Sequence, residues 1–318
     1  MNTDFINIVR YASKAPSGHN TQPWKFHITD DTITILPDLS KVLPIVDGDN
    51  RELFISLGCA TENLCIAANY LGYESHTIES GTKGITIQLT KNHGMIEDPL
   101  FYQIEKRQSN RSIYSSERIP NEVFKQLQTI KKENHIQLYS AEIGTPLANI
   151  LTEYIKKGNE LQMNDITFKN ELLTWMRFNK KQIEATKDGL SYQVFGNPSL
   201  PKLVSKFIVN LFLKPSVQNK SDMKKIASSS HLILFTTRLN SLEEWIDLGS
   251  TLQRFLLKAT ESGIACAFLN QPCEVEALSK ELQRILPINN EYPTLIIRIG
   301  YSKALPYSPR KEITGLLI

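Results

Sequence analysis

Residues 15–24 read Ala15-Pro16-Ser17-Gly18-His19-Asn20-Thr21-Gln22-Pro23-Trp24. Two prolines bracket a polar run and leave its backbone few conformations. Ser17, Asn20 and Gln22 offer donors and acceptors at short spacing, an arrangement that suits the polar edge of a flat ligand. From spacing alone, a capping turn with Trp24 anchoring it in the core is the better reading. Upstream, Phe5, Ile8, Val9 and Ala12 recur at helical spacing and predict a helix that stops before Pro16. Downstream, residues 25–29 and 32–36 read as two strands joined by an Asp-Asp turn. The loop therefore connects an amphipathic helix to a hairpin.

Beyond the hairpin the same kinds of element return. A long apolar helix is expected from 53 to 71, ending at Gly72, and a strand at 84–89. A helix over 121–132 and a strand at 136–139 follow, then long helices across 146–190. A buried strand at 231–236, a helix over 242–261 ending before Gly263, and a last strand at 294–299 complete the pattern. Long helices on a few mostly non-consecutive strands predict an α+β layer fold.

One repeat organises these elements. Ile55, Leu57, Gly58, Ala68 and Gly72 recur 191 residues later as Ile246, Leu248, Gly249, Ala259 and Gly263. Any two buried helices share apolar spacing, but two glycines in register point to duplication.

Two basic segments could meet an anion. In Lys106-Arg107-Gln108-Ser109-Asn110-Arg111, an extended backbone puts Arg107, Ser109 and Arg111 on one side. Two guanidinium groups and a hydroxyl suit a phosphate. The tail carries Gly300-Tyr301 and then Pro306-Tyr307-Ser308-Pro309-Arg310-Lys311, where rigid chain presents Arg310. A solvated basic turn is the better reading of an arbitrary basic run such as the first, and an exposed C-terminal arm wrapping the surface is the alternative for the tail.

Composition narrows the function classes. A formal charge of +3 over 318 residues gives no reason to expect a nucleic-acid partner. The four cysteines fit no CxxC or zinc spacing, the six histidines include no HExxH, and neither GxGxxG nor GxxxxGK[ST] occurs. A metal site is not expected, and the cysteines read as reduced thiols of a cytoplasmic chain. No signal peptide or membrane span is expected.

Together these segments resemble the nitroreductase family of flavoproteins. PSGHNTQPW is similar to that family's PSxxNxQPW element, RQSNR to its RxSxR element, and Gly300-Tyr301 with Arg310 to its closing GY…R element. The helices ending at Gly72 and Gly263 fit its "LG" helix. The resemblance spans the chain, weakest across about 145–225. Ordinary members carry both elements in one short N-terminal stretch and share two flavins between two subunits. Here PSGHNTQPW lies in one half and RQSNR in the other, which matches a divergent branch with two fused halves, 1–97 and 98–318, forming an intramolecular pseudo-dimer.

The resemblance implies one FMN and NAD(P)H as reductant, with hydride passing through flavin N5 to a nitroaromatic, quinone or similar small electrophile. Arg107 and Arg310 would hold the phosphate with Ser109, and Arg111 would face N1 and O2. Pro16, Ser17 and Asn20 would reach the flavin from the opposite half, and Asn270 and Gln271 would lie on the N5 side. No catalytic side chain is implied, and His19 takes a variable position. The alternative is a flavin-storing protein whose site is occluded, with residues 201–215 as a candidate lid; an ordinary core helix is the plainer reading of that segment.

Overall fold

The computed structural model describes residues 2–92, 94–196, 199, 213–288 and 290–318. Residues 201–212, most of the candidate lid, lie outside the described residues. The first helix, α1 (Thr3–Ala12), starts at Asn2, whose side chain accepts the Asp4 N–H at 2.9 Å, and buries Phe5, Ile8, Val9 and Ala12. Strands β1 (Trp24–Ile28) and β2 (Thr32–Pro37) form the expected hairpin. Helix α2 (Arg51–Tyr70) is buried around most of its circumference, as a central helix must be when it is apolar on every side. Strands β3 (Tyr73–Gly81) and β4 (Gly84–Lys91) complete a sheet of order β1-β2-β4-β3. The sequence reading missed β3, whose residues after Tyr73 are mostly exposed and polar, so the strand shows no buried alternation.

The second half repeats this plan with insertions. Helix α3 (Asn121–Gln128) ends four residues earlier than expected and precedes β5 (Ile136–Glu142). A long excursion follows: α4 (Pro146–Asn164), α5 (Ile166–Trp175), β6 (Met176–Arg177), α6 (Lys180–Thr186), β7 (Leu190–Ser191) and α7 (Pro215–Ala227). Then come β8 (His231–Thr237), α8 (Leu242–Glu261), β9 (Ile264–Phe268), the one-turn α9 (Gln271–Glu274), α10 (Glu276–Ile285) and β10 (Tyr292–Tyr301). The sheet order is β5-β8-β10-β9, antiparallel throughout like the first. Substituting β5, β8, β9 and β10 for β1, β2, β3 and β4 turns one sheet into the other. The tight turn between β1 and β2 corresponds to the whole excursion between β5 and β8.

Helices α2 and α8 cross at the repeated glycines. A Cβ on Gly58 would lie 2.0 Å from the Ile246 carbonyl oxygen, and one on Gly249 would lie 2.1 Å from the Ile55 carbonyl oxygen. The crossing is two-fold in its partners. Cys59 Sγ donates to the Gly249 carbonyl at 3.1 Å, and Ser250 Oγ donates to the Gly58 carbonyl at 3.2 Å. One turn on, Arg254 is ion-paired to Glu62, while at the equivalent position Gln253 Nε2 donates to Asn63 Oδ1 at 2.6 Å. Bare backbone against bare backbone brings the helices close enough for these bonds. The core is continuous across the crossing, with residues of both sheets and both helices in one cluster.

The tail returns to the first half. Phe26 of β1 donates its N–H to the Leu316 carbonyl at 2.9 Å, and Ile318 donates back to Phe26 at 3.1 Å. Residue 317 thus adds a bridge to the β1 edge, and the stretch between β10 and this bridge crosses the face where the two halves meet.

Candidate cofactor site

The loop 15–24 is held in an uncommon shape. His19, Asn20 and Gln22 all have positive φ, at 48°, 56° and 53°. Non-glycine residues reach that region at a cost, and clusters of them mark sites where the surrounding structure fixes the chain. Trp24 is fully buried and anchors one end. The Ser17 hydroxyl accepts the Gln22 N–H at 3.0 Å, closing the turn. From outside, Gln22 Nε2 donates to the Lys187 carbonyl at 2.8 Å, and its Oε1 accepts the Lys311 N–H at 2.9 Å. Asn20 Nδ2 donates to the carbonyls of Gly189 and Pro309, each at 3.1 Å. The excursion and the tail therefore clasp the loop from two sides.

The segment 107–111 runs beside the edge strand β9. Ser109 bridges to Cys266, and the Asn110 N–H donates to the Cys266 carbonyl at 2.8 Å. This extended course separates the side chains as expected. Gln108 and Asn110 tie down the tail, donating to the carbonyls of Leu305 and Lys303 at 3.0 and 2.8 Å. Arg107, Ser109 and Arg111 line a cavity of about 390 Å³, together with Pro16, Ser17, Asn20 and Arg310. Seven of the residues singled out in the sequence, drawn from three distant segments, thus surround one space.

Its electrostatics are those of an anion site. Arg107 Nη2 and Arg310 Nη2 both donate to the Lys14 carbonyl, at 2.9 and 3.0 Å. Arg107 Nε is buried and has no partner. Arg310 also reaches Asn20 Oδ1, so Asn20 sets the orientation of that guanidinium. Neither arginine has a carboxylate within ion-pair distance among the described residues. Burial pushes Arg107 down to about 10, and burial with the nearby Arg107 charge pushes Arg310 down to about 9. Both remain charged at neutral pH. Two buried like charges converging on one carbonyl oxygen favour an anion between or beside them.

Pro16, Ser17, Arg111 and Phe268 also border a second, larger cavity of about 550 Å³. Arg111, pushed down to about 10 by burial, stands where the two spaces join. Asn270 and Gln271 line the larger space, and their backbone N–H groups donate to no other described residue. Asn270 is further fixed by accepting the Ile296 N–H at 3.1 Å. The excursion supplies an apolar wall that includes Met163, Phe168, Leu172 and Phe195.

Among the lining residues that escaped the sequence reading are Arg298, Phe268, Glu52 and Glu274. Arg298 is buried in β10, lies 3.9 Å from the Tyr114 ring centroid and donates to the Ser112 carbonyl at 2.7 Å. A charge inside an otherwise apolar strand was a usable signal for it. Phe268, Glu52 and Glu274 gave none, because each sits at an element boundary where local pattern is silent. His19 lines the larger cavity, with burial and then the Arg111 charge holding it down to about 4, so it is neutral. Of the cysteines, Cys59, Cys266 and Cys273 are buried and all four are free thiols. Among the described residues no helix is long and apolar enough to cross a membrane, and no cluster of metal-ligating side chains is found.

Paired α+β halves with a cavity between loop 15–24, segment 107–111 and the tail define a nitroreductase-like fold. A crystal structure from Anabaena variabilis, provisionally titled a nitroreductase, is similar over 95% of this chain and 90% of its own, with a TM-score of 0.51 and 10% identity. In sequence, the chain is similar to the provisionally named NAD(P)H nitroreductase Rv3131 of Mycobacterium tuberculosis, 21% identical over 341 residues, covering all of this chain and 93% of that protein. It is likewise similar to the provisionally named NAD(P)H nitroreductase acg of the same species, at 22% over 329 residues, covering 98% and 94%. No known family's sequence profile matches. The chain has a nitroreductase-like fold, and its sequence likeness to these relatives runs end to end.

Proposed function

We propose that the joined cavities bind one FMN and that the protein is an FMN-dependent NAD(P)H oxidoreductase. The observation that carries this is the pair of buried guanidinium groups of Arg107 and Arg310, which face the smaller cavity without a carboxylate partner. The phosphate would sit there, with Ser109 beside it. Arg111, at the junction, would face the pyrimidine edge of the ring system and hold negative charge there. The uncommitted N–H groups of Asn270 and Gln271 would border its other side. Pro16, Ser17 and Asn20 close the cavity from the first half, which supports reading 1–97 and 98–318 as complementary half-subunits. When bound, the cofactor supplies hydride transfer from NAD(P)H to a nitroaromatic, quinone or similar flat electrophile. The names of the mycobacterial relatives support NAD(P)H as the reductant.

The apolar wall from the excursion favours a second reading, a flavin-holding protein into which nicotinamide enters slowly. One experiment separates the two. Purified protein is saturated with FMN, freed of excess and titrated with NADPH under anaerobic conditions. One flavin per chain is expected, because loop 15–24 and segment 107–111 each occur once. Bleaching by NADPH and recovery of colour on adding a quinone are the results expected of the oxidoreductase. Tight flavin that NADPH leaves yellow would replace it with the storage reading, and a ratio near two would overturn the single site.

A further inference from the structure

Glu52 and Glu274 meet at the wall of the larger cavity, one from each half. Glu52 lies in the first turn of α2, and Glu274 ends α9. Their carboxyls adjoin one another, and two carboxylates held together away from water favour keeping one proton between them. An amide holds one oxygen of each. Asn270 Nδ2 donates to Glu52 Oε1, and Gln162 Nε2 donates to Glu274 Oε2, both at 2.6 Å. Glu52 Oε2 lies against the loop 15–24, where a Cβ on Gly18 would come within 3.1 Å of it. The pair thus touches α4, the loop and both halves, and it opens on the space assigned above to the reacting end of the site.

Burial pushes both carboxyls up from the usual glutamate range, and for Glu52 the adjoining Glu274 adds to the rise. The charged and titratable neighbours leave that conclusion in place. Arg51 lowers both, but its guanidinium donates to the Cys273 carbonyl at 2.7 Å and not to either glutamate. Asp47 is itself pushed up to about 7, by burial and by Glu52, and its two oxygens accept the N–H groups of Glu52 and Leu53. Cys273 is a buried thiol pushed up to about 12. On the loop, His19 is neutral. From α4 the facing group is the uncharged amide of Gln162.

We infer that Glu52 and Glu274 share a single proton at the cavity wall and deliver it to the acceptor reduced there. The inference rests on the oxidoreductase reading above. For a quinone, a hydride brings two electrons and one proton to one carbonyl. The other carbonyl oxygen takes the shared proton, so an O–H bond forms as the carboxyl O–H bond breaks. NAD(P)H is oxidised, the quinone becomes a hydroquinone, and solvent returns the proton to the carboxylate pair. Two carboxyls held close enough to force one proton between them provide such a donor at neutral pH.

The test has two parts. Difference infrared spectra at neutral pH, FMN-free parent minus Glu52→Gln and parent minus Glu274→Gln, should each show a protonated-carboxyl C=O stretch present in the parent alone, the contribution of Asp47 being common to all three proteins. The rate at which a quinone reoxidises the NADPH-reduced, FMN-loaded protein should then fall in the parent as pH rises through the range of the pair. In either variant that rate should be about 100-fold lower or more, and flat with pH. Failure of the parent to bind FMN, or to be bleached by NADPH, would count against the oxidoreductase reading. A parent that is bleached but lacks the carboxyl band, or whose pH profile overlays those of the variants, would overturn the inference alone.

Discussion

Arg107→Met should weaken FMN binding about tenfold or more and leave the FMN-free protein no less stable than the parent. The two halves of this result come from one cause. A hydrogen bond to a charged group is worth about 1.5–3 kcal/mol, so losing the guanidinium removes at least a factor of about ten in phosphate affinity. Without phosphate, however, the same group is a buried charge with an unpartnered Nε, beside the like charge of Arg310. Methionine keeps most of the stem volume and removes that charge. Arg310→Met should weaken FMN to a similar degree but also loosen the tail, because Arg310 ties Asn20 and the Lys14 carbonyl together. Riboflavin, which lacks the phosphate, should bind the parent and Arg107→Met alike. Fluorescence titration with both flavins and urea unfolding of the FMN-free proteins measure all of this. Parent-like FMN affinity in Arg107→Met would remove Arg107 from the phosphate site.

The second large effect lies in the helix crossing. Gly58→Ala and Gly249→Ala each place a methyl group about 2 Å from a backbone carbonyl oxygen of the opposing helix. A flexible side chain could step aside, but two packed helix backbones must separate. Each substitution should therefore reach the upper end of the usual overpacking penalty, about 3 kcal/mol. It should also break the Cys59 and Ser250 bonds that the close approach permits. Gly81→Ala is the control: it has open space around it and no left-handed backbone, so its effect should stay within a few tenths of a kcal/mol. The midpoint of urea unfolding reads the difference, and a Gly58→Ala midpoint equal to that of Gly81→Ala would show that the crossing tolerates side chains.

These two cases show what sequence patterning can and cannot reach. The repeated glycines were legible because close backbone contact demands glycine at one register in both helices. The loop and the basic segment were legible because each is a contiguous stretch that places several side chains around the same space. The remaining wall was not. Glu52 and Glu274 gain their meaning only where α2 meets α9, 222 residues apart in the chain, and nothing near either one marks it as paired. Strand β3 was missed because a solvent-facing edge strand needs no apolar alternation. The single helix expected to run to 132 stops at Gln128, where Thr129 and Ile130 turn out of it. The long excursion read as helices because its apolar spacing is helical, while its short parallel pair, β6 and β7, is too brief to leave a pattern.

The α2–α8 crossing also bears on how such a chain can diverge. In a pair of identical subunits, every substitution at a two-fold contact is made twice and must suit both copies of the contact at once. Here the equivalent contacts already differ: an ion pair joins Glu62 to Arg254, while an amide pair joins Asn63 to Gln253. The excursion likewise interrupts one hairpin and not the other. With both copies in one reading frame, each can accumulate changes of its own. One half can specialise in presenting loop 15–24 and the other in presenting segment 107–111, without either keeping both elements.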